Sequence, residues 1–290
     1  MGRRSKRPRR CGRRLLFLLA LAVLTGLYIR WDNTALQTVS FSPAFRNLPR
    51  GFDGCRFVVL GDLHSTFFGE KNETLLEAVR AQEPEYIFLV GDLLDSFREV
   101  PEGYAEETAA GLAAIAPTYY VTGNHEWALG GVRSLKKALE SQGVTVLSNQ
   151  FVTLERGGDT VVLAGIDDPN GYADQKSPEA VAGEVQSAHG DPFWILLAHR
   201  NNYFPEHYSL LGADLVVSGH GHGGLIRLPF TDGLVSTDRR FFPSYTAGLY
   251  EKNGSTLFVT RGLGNTGPTF RLFNRPEVAV LTLAGAGPAS

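Results

Sequence analysis

The sequence predicts an α/β fold built around two packed sheets, and three observations lead there. Short β-branched runs alternate with helix-patterned stretches over the first half of the chain, the rhythm of layered α/β proteins. Strand-like runs with little helix between them fill the end of the chain. Nearly every run stops at a small cluster of polar residues, so buried strands deliver side chains to one edge of the sheets. The 290 residues, 43% hydrophobic and 20% charged, describe a globular chain rather than a disordered, collagen-like or coiled-coil one. One large domain with an N-terminal targeting segment accounts for the length.

Residues 1–14 form a basic leader carrying Arg3, Arg4, Lys6, Arg7, Arg9, Arg10, Arg13 and Arg14 with no acidic residue among them. An uninterrupted apolar run, Leu15 to Ile29, follows and is closed by Arg30 and Trp31. Residues 15–31 are therefore read as a transmembrane anchor or signal segment. As a helix, the apolar run extends only about 22 Å, short of the roughly 30 Å hydrocarbon core. Arg14 and Arg30 can snorkel, and Trp31 is the amphipathic ring expected at a membrane interface. A cleaved signal peptide shares this layout, but no small-x-small site follows promptly, so the reading favours an uncleaved anchor. The positive-inside rule keeps residues 1–14 cytoplasmic and sends the domain across the membrane. Arg13-Arg14-Leu15-Leu16 partly matches a twin-arginine export signal.

The near-neutral net charge of -2 hides a segregation. Beyond Arg30, 19 basic groups face 30 acidic ones. A domain so acidic lacks the electrostatic footprint of a nucleic-acid binder. The two cysteines, Cys11 and Cys55, supply neither a disulfide framework nor a thiolate metal site.

Residues 32–55, with Pro43, Pro49, Gly51 and Gly54, read as a connector, and residues 56–290 as the folded domain. Phe57 to Leu60 is a buried strand ending in Gly61-Asp62-Leu63-His64. Asn72 to Gln82 is helical in pattern, with Leu75, Leu76 and Val79 on one face. Tyr86 to Val90 is a strand ending in Gly91-Asp92, and a helix over Glu102 to Ala116 leads to the strand Thr118 to Val121, which stops at Gly123-Asn124-His125-Glu126. Val161 to Ala164, Trp194 to Leu197 and Leu215 to Val217 repeat the design, the last two ending in Ala198-His199-Arg200 and Gly219-His220-Gly221-His222. Thr256 to Thr260 and Val278 to Leu283 complete the strands.

Asp62, His64, Asp92, Asn124, His199, His220 and His222 all lie at such strand ends. Singly, each is a turn residue or a satisfied core polar group; together they form an oxygen and imidazole ligand set suited to manganese, iron or zinc. Seven ligands exceed one tetrahedral site, whereas two ions sharing a carboxylate use them all. The glycines from Gly219 to Gly224 are turn residues, since no Lys-Ser/Thr or helix pattern follows as a phosphate-cradling loop requires.

The ordered motifs Asp-x-His, Gly-Asp-x-x-Asp, Gly-Asn-His-Glu, a lone His after a strand, and Gly-His-x-His resemble the calcineurin-like metallophosphoesterase superfamily over residues 56 to about 285. Ser218 to Pro229, Arg261 to Gly264 and Pro276-Glu277-Val278 are similar to its membrane-anchored or exported bacterial branch. The resemblance implies a four-layer α-β-β-α sandwich of two mixed sheets with a dinuclear metal site at the strand C-terminal ends. It implies that Asp62, His64 and His222 hold one ion, that Asn124, His199 and His220 hold the other, and that Asp92 bridges them. It further implies a metal-bridging hydroxide as nucleophile, His125 as general acid with Asp95 orienting its ring, and Asn124 as a donor to phosphate.

Where the protein serine/threonine phosphatases of this scaffold carry a phosphate-clamping arginine, this chain has Ser96. Arg98 or Arg200 is the candidate substitute, with Arg200 the expected substrate-binding residue. Bidentate recognition depends on position, so phosphoprotein substrates lose support and a phosphodiester or pyrophosphate is favoured. The anchor, together with Phe67, Phe68, Trp127, Phe241, Phe242 and Tyr245 in loops, points toward a lipid-linked or cell-envelope substrate. The alternatives are a phosphomonoesterase and a non-catalytic metal-binding scaffold on the same fold.

Overall fold

The computed structural model describes residues 9–173, 175–228, 230–237 and 239–286. The leader positions before residue 9 and Pro229 of the branch-like stretch lie outside the described residues. Helix α1 (Arg9–Thr34) leads into β1 (Gln37–Phe41) and β2 (Ala44–Phe45). The body continues through β3 (Arg56–Leu60), α2 (Glu73–Arg80), β4 (Tyr86–Val90), α3 (Tyr104–Ala113) and β5 (Thr118–Val121). Then come α4 (Asn124–Leu129), α5 (Val132–Ser141), β6 (Thr145–Val146), β7 (Gln150–Arg156), β8 (Asp159–Gly165) and α6 (Pro178–His189). The chain closes with β9 (Trp194–Arg200), β10 (Leu215–Gly219), β11 (Gly248–Lys252), β12 (Ser255–Val259), β13 (Glu277–Thr282) and β14 (Ala284–Gly285).

Two six-stranded mixed sheets result, in the orders β1-β13-β3-β4-β5-β6 and β11-β12-β10-β9-β8-β7, with β2 and β14 forming a small separate pair. Side-chain alternation along each strand builds three apolar layers. Phe57, Val59, Phe88 and Val90 meet Leu163, Ile195, Leu197 and Val217 between the sheets. Their strand neighbours Val58, Leu60, Ile87 and Leu89 turn outward to Leu75 and Val79 of α2, Leu112 of α3 and Leu139 of α5. On the other side, Val162, Leu196 and Val216 pack against Val181 and Val185 of α6. This is the expected α-β-β-α sandwich. Each fully buried Leu, Val or Phe contributes about 1.5–3 kcal/mol by leaving water, and the Phe57 and Phe88 rings stack at 4.7 Å in the central layer.

Three local readings change. The segment read as a connector contains β1, which pairs in parallel with β13 from Gln37 opposite Glu277 to Phe41 opposite Leu281. Its five residues, two of them exposed in alternation with half-buried ones, carry too weak a pattern to be distinguished from loop. The helix expected from Glu102 begins at Tyr104, because Gly103 takes a left-handed conformation at φ 72° that a helix interior does not accept. Strand β7, absent from the sequence reading, pairs antiparallel with β8 across Gly157 and Gly158, both at positive φ, the requirement of a tight hairpin turn.

Candidate metal centre

The C-terminal ends of β3, β4 and β5 in one sheet and of β9 and β10 in the other open onto the same edge of the sandwich. One hydrogen bond joins the sheets there: His199 Nδ1 lies 2.8 Å from the carbonyl of Val90. Chain geometry at the edge is strained. Asp62, His64, Asp92, His220 and His222 all have φ between 45° and 66°, a left-handed conformation that costs non-glycine residues about 1–2 kcal/mol each and is concentrated at functional sites. Gly123 is required by close approach, since a Cβ there would stand 2.2 Å from Asp92 Oδ1.

Three overlapping or adjoining donor groups form among the described residues, one of them His64, Asp95 and His125, and two hold the expected ligands. Asp62, His64 and His222 place one potential ligand atom each within 4.8 Å of one another, and so do Asp92, His199 and His220. His64 Nε2 and His222 Nε2 are 3.0 Å apart, and His222 Nε2 is 3.6 Å from Asp62 Oδ1. Asp62 is held by the amide of His220, which donates to both its oxygens at 3.0 Å. Asp92 of the second cluster also approaches the first: its Oδ2 is 3.1 Å from His199 Nε2 and 3.8 Å from His64 Nε2. Asn124 begins α4 beside them.

Burial dominates the electrostatics. It pushes His64 down to about 3 despite the pull of Asp92, leaving a neutral imidazole, the form that ligates a cation. Burial also disfavours charge on His199, but the neighbouring Asp92 carboxylate outweighs it and raises His199 to about 10. Asp92 is held well below the carboxylate range, burial being overcome by the His199 cation. Burial raises Asp62 to about 7 against the opposing pull of His199.

These residues fit divalent ions on their own geometry. The buried Asn124 Oδ1 has no hydrogen-bond partner, an expensive arrangement unless something else satisfies it, and the buried His199 Nε2 faces the Asp92 carboxylate at 3.1 Å. With His199 Nδ1 committed to the Val90 carbonyl, its Nε2 faces the centre as the ligating nitrogen once deprotonated, the usual supporting contact of a metal-binding histidine.

His125 is buried on the rim of the first cluster. Its ring centroid lies 4.5 Å from that of His64, and its amide donates to Asp92 Oδ1 at 2.9 Å. Asp95 Oδ1 is 3.3 Å from His125 Nδ1, but Ser96 comes closer, with its amide at 3.0 Å and its hydroxyl at 2.9 Å. The Ser96 amide can only donate, so it selects the neutral tautomer with the proton on Nε2, beside Thr266 Oγ1 at 3.2 Å. Asp95 also accepts from the amide of Phe97 and pairs with Arg98 at 3.0 Å. It does not cap the following helix.

Arg200 is not presented as a free clamp. Its Nε and Nη2 bond both oxygens of the buried Asp168 at 2.7 and 3.2 Å, so the fork assigned to substrate is occupied by a carboxylate. Arg98 is likewise engaged by Asp95 and the carbonyls of Asn265 and Gly267. Of the loop aromatics, Phe68 is in the core while Phe241 and Phe242 are exposed.

Several residues around the centre carry no distinctive sequence signal. Glu126 is buried and accepts from the amides of Asp92 at 3.1 Å, Leu94 at 3.0 Å and Gly123 at 2.7 Å, tying two ligand loops together. Arg271 is fully buried. It donates to the carbonyls of Arg261 and Gly264, each at 2.7 Å, and reaches His222 Nδ1 at 3.3 Å. Asn274 Nδ2 donates to the His222 carbonyl at 2.7 Å. Glu126 at least stands inside a quoted motif; Arg271 and Asn274 are single polar residues in an aperiodic loop.

A family model described as calcineurin-like phosphoesterase matches residues 55–224. The chain is 31% identical over 230 residues to the metallophosphoesterase YkoQ of Bacillus subtilis, covering 76% of this chain and 80% of that one. It is 30% identical over 251 residues to a transmembrane protein with metallophosphoesterase domain from Danio rerio, covering 82% of this chain and 55% of that one. Among solved structures, the sulfate thiohydrolase SoxB of Thermus thermophilus superposes with a TM-score of 0.51 at 12% identity, over 82% of this chain and 57% of that one, a likeness of fold.

Proposed function

The chain belongs to the calcineurin-like phosphoesterase family, and from that premise we propose that it is a two-metal hydrolase of phosphodiester or pyrophosphate bonds, acting on a lipid-linked or cell-envelope substrate. Membership itself makes it a metal-dependent phosphoester hydrolase. The single observation that carries the finer reading is that Asp92, a member of one three-residue donor cluster, also places its Oδ2 3.8 Å from His64 of the other.

Asp62, His64 and His222 would hold one divalent ion, and Asn124, His199 and His220 the other, with Asp92 common to both. Bound there, manganese, iron or zinc ions supply Lewis acidity toward phosphoryl oxygens and acidify a water molecule. The remaining work belongs to the chain. His125 Nε2 holds a proton at the rim, available to the departing oxygen. Ser96 fixes that ring by its other nitrogen, whose lone pair is taken by the Ser96 amide and so offers no proton to Asp95. The pairing of Arg200 with Asp168 favours a substrate that does not demand a free arginine fork, which supports a diester or pyrophosphate over a phosphoprotein.

Helix α1 contributes a 23-residue stretch, Gly12–Thr34, long and apolar enough to cross a membrane. We read it as a single-pass anchor that holds the catalytic domain outside the cytoplasmic membrane, with the arginine pair as a twin-arginine route of export. Protease protection of residues 56–290 in intact cells would overturn that orientation.

The test of activity is hydrolysis of bis-p-nitrophenyl phosphate and of the matching monoester by the full chain, stripped of metal and refilled with manganese, iron or zinc. Diester cleavage restored by metal and lost in Asp92→Asn is the expected result. Preference for the monoester would make the protein a phosphomonoesterase. No turnover with two ions bound would make it a metal-binding scaffold.

A further inference from the structure

We infer that the aromatic layer between His222 and the end of α1 is a membrane-docking surface, which opens the metal centre at the lipid–water interface. The inference rests on the reading of α1 as a membrane anchor. The layer grows directly out of the ligand loop. Three residues past His222, Leu225 accepts from the amide of Leu272 at 3.1 Å, and Arg227 donates back to the Leu272 carbonyl at 3.0 Å. Leu234 donates to Ile226 at 2.7 Å and Phe242 to Leu234 at 3.0 Å. Four short segments are thereby joined edge to edge. Leu228, Phe230, Phe241, Phe242, Phe270 and Phe273 are exposed on or beside them. So many large apolar side chains on adjoining loops mark a surface that is covered in use.

What covers it follows from where α1 ends. No free linker separates helix from layer: Asn33 Oδ1 accepts from the Arg271 amide at 2.7 Å, Asn33 Nδ2 donates to the Arg271 carbonyl at 2.8 Å, and Asp32 Oδ2 accepts from the Asn274 amide at 3.2 Å. The Tyr28 ring lies 5.7 Å from the Phe273 ring and 5.8 Å from that of Trp31. Arg30 and Trp31 are the interfacial residues of the anchor. Tyr28, three residues earlier, is about 4.5 Å farther along the helix toward the bilayer centre. Phe273 therefore meets the helix at the depth of the interface, and the segments paired to it are held near the same level.

The charge agrees. Arg239 and Arg240 are exposed immediately before Phe241 and Phe242, a basic and aromatic combination suited to an anionic lipid surface on a domain otherwise acidic. The surface is covered by the bilayer that holds α1.

The test uses the full chain with Cys11→Ser, in which the remaining cysteine, Cys55, is buried. Single spin labels are placed through Leu18→Cys on the anchor, Phe230→Cys and Phe242→Cys on the layer, and Leu210→Cys at an exposed site outside it, in vesicles of phosphatidylcholine and phosphatidylglycerol. Labels at 18, 230 and 242 are expected to collide with oxygen and to lose contact with a water-soluble nickel chelate, while the label at 210 behaves oppositely. Labels at 230 and 242 in water, with 18 in lipid, would overturn the docking surface and leave the anchor intact. A label at 18 in water would overturn both readings. Shielding of 230 and 242 from oxygen and nickel alike would assign the layer to a second copy of the chain and overturn lipid docking.

Discussion

The two flanks of the metal centre are braced by buried side chains of opposite sign, and they differ in reach. On one flank Glu126 gathers the amides of Asp92, Leu94 and Gly123. Every partner lies on the loops after β4 and β5, so this brace closes on itself. On the other flank Arg271 donates to the carbonyls of Arg261 and Gly264 and touches His222, while its own backbone is held by Asn33 of α1. This brace runs from a ligand to the membrane-spanning candidate. Amide-rich loops at the start of a helix suit an anion, and a carbonyl-rich loop suits a cation. Both solutions rigidify ligands, but only the second couples their position to that of the helix.

The comparison is most severely broken at the residue the flanks share. Asp92→Asn should lower diester turnover by on the order of 100- to 1,000-fold, the scale for losing one preorganised charge-stabilising group. Metal analysis should also find one tightly bound ion fewer per chain. Near-normal turnover would remove Asp92 from the bridging position. Next in size is Arg271→Met, which keeps much of the stem volume and strands two buried carbonyls. It should cost about 2–4 kcal/mol in urea unfolding and speed amide exchange at the end of α1.

Glu126→Ala strands three amides instead. It should destabilise the domain by about 2–3 kcal/mol and weaken metal binding by about 10- to 100-fold, with exchange at the end of α1 unchanged. Accelerated exchange there in the Glu126 variant would erase the distinction between the flanks. The smallest effect is expected from Asn33→Ala, at about 1 kcal/mol. Its signature is a loosened α1 end with both donor clusters still loading metal.

The candidate ligand positions were legible because each is a polar residue close to the end of an apolar run. That contrast survives in a single sequence, since a buried strand must be apolar while its end need not be. Asp62, Asp92 and His199 could be read in this way, together with their strands. Ser96 was noticed only as a missing arginine, and its contact with His125 Nδ1 was not foreseen. The pairing of Arg200 was not foreseen, because Asp168 lies 32 positions earlier and nothing in its neighbourhood indicates it. Strand β1 escaped because an edge strand with one exposed face needs few apolar residues.

By itself the sequence determined the layered α/β class, the inventory of candidate ligands and the apolar N-terminal segment. These depend on local periodicity, on composition and on abrupt changes of polarity, which are properties of neighbouring residues. Only the tertiary structure decided that Asp92 of one cluster approaches His64 of the other, that Ser96 competes with Asp95 for His125, that Arg200 is already paired, and that α1 docks on the loop behind His222. Each of these is a contact between residues distant in the chain, and such contacts are selected when the two sheets close over their common core and bring their strand ends to one edge.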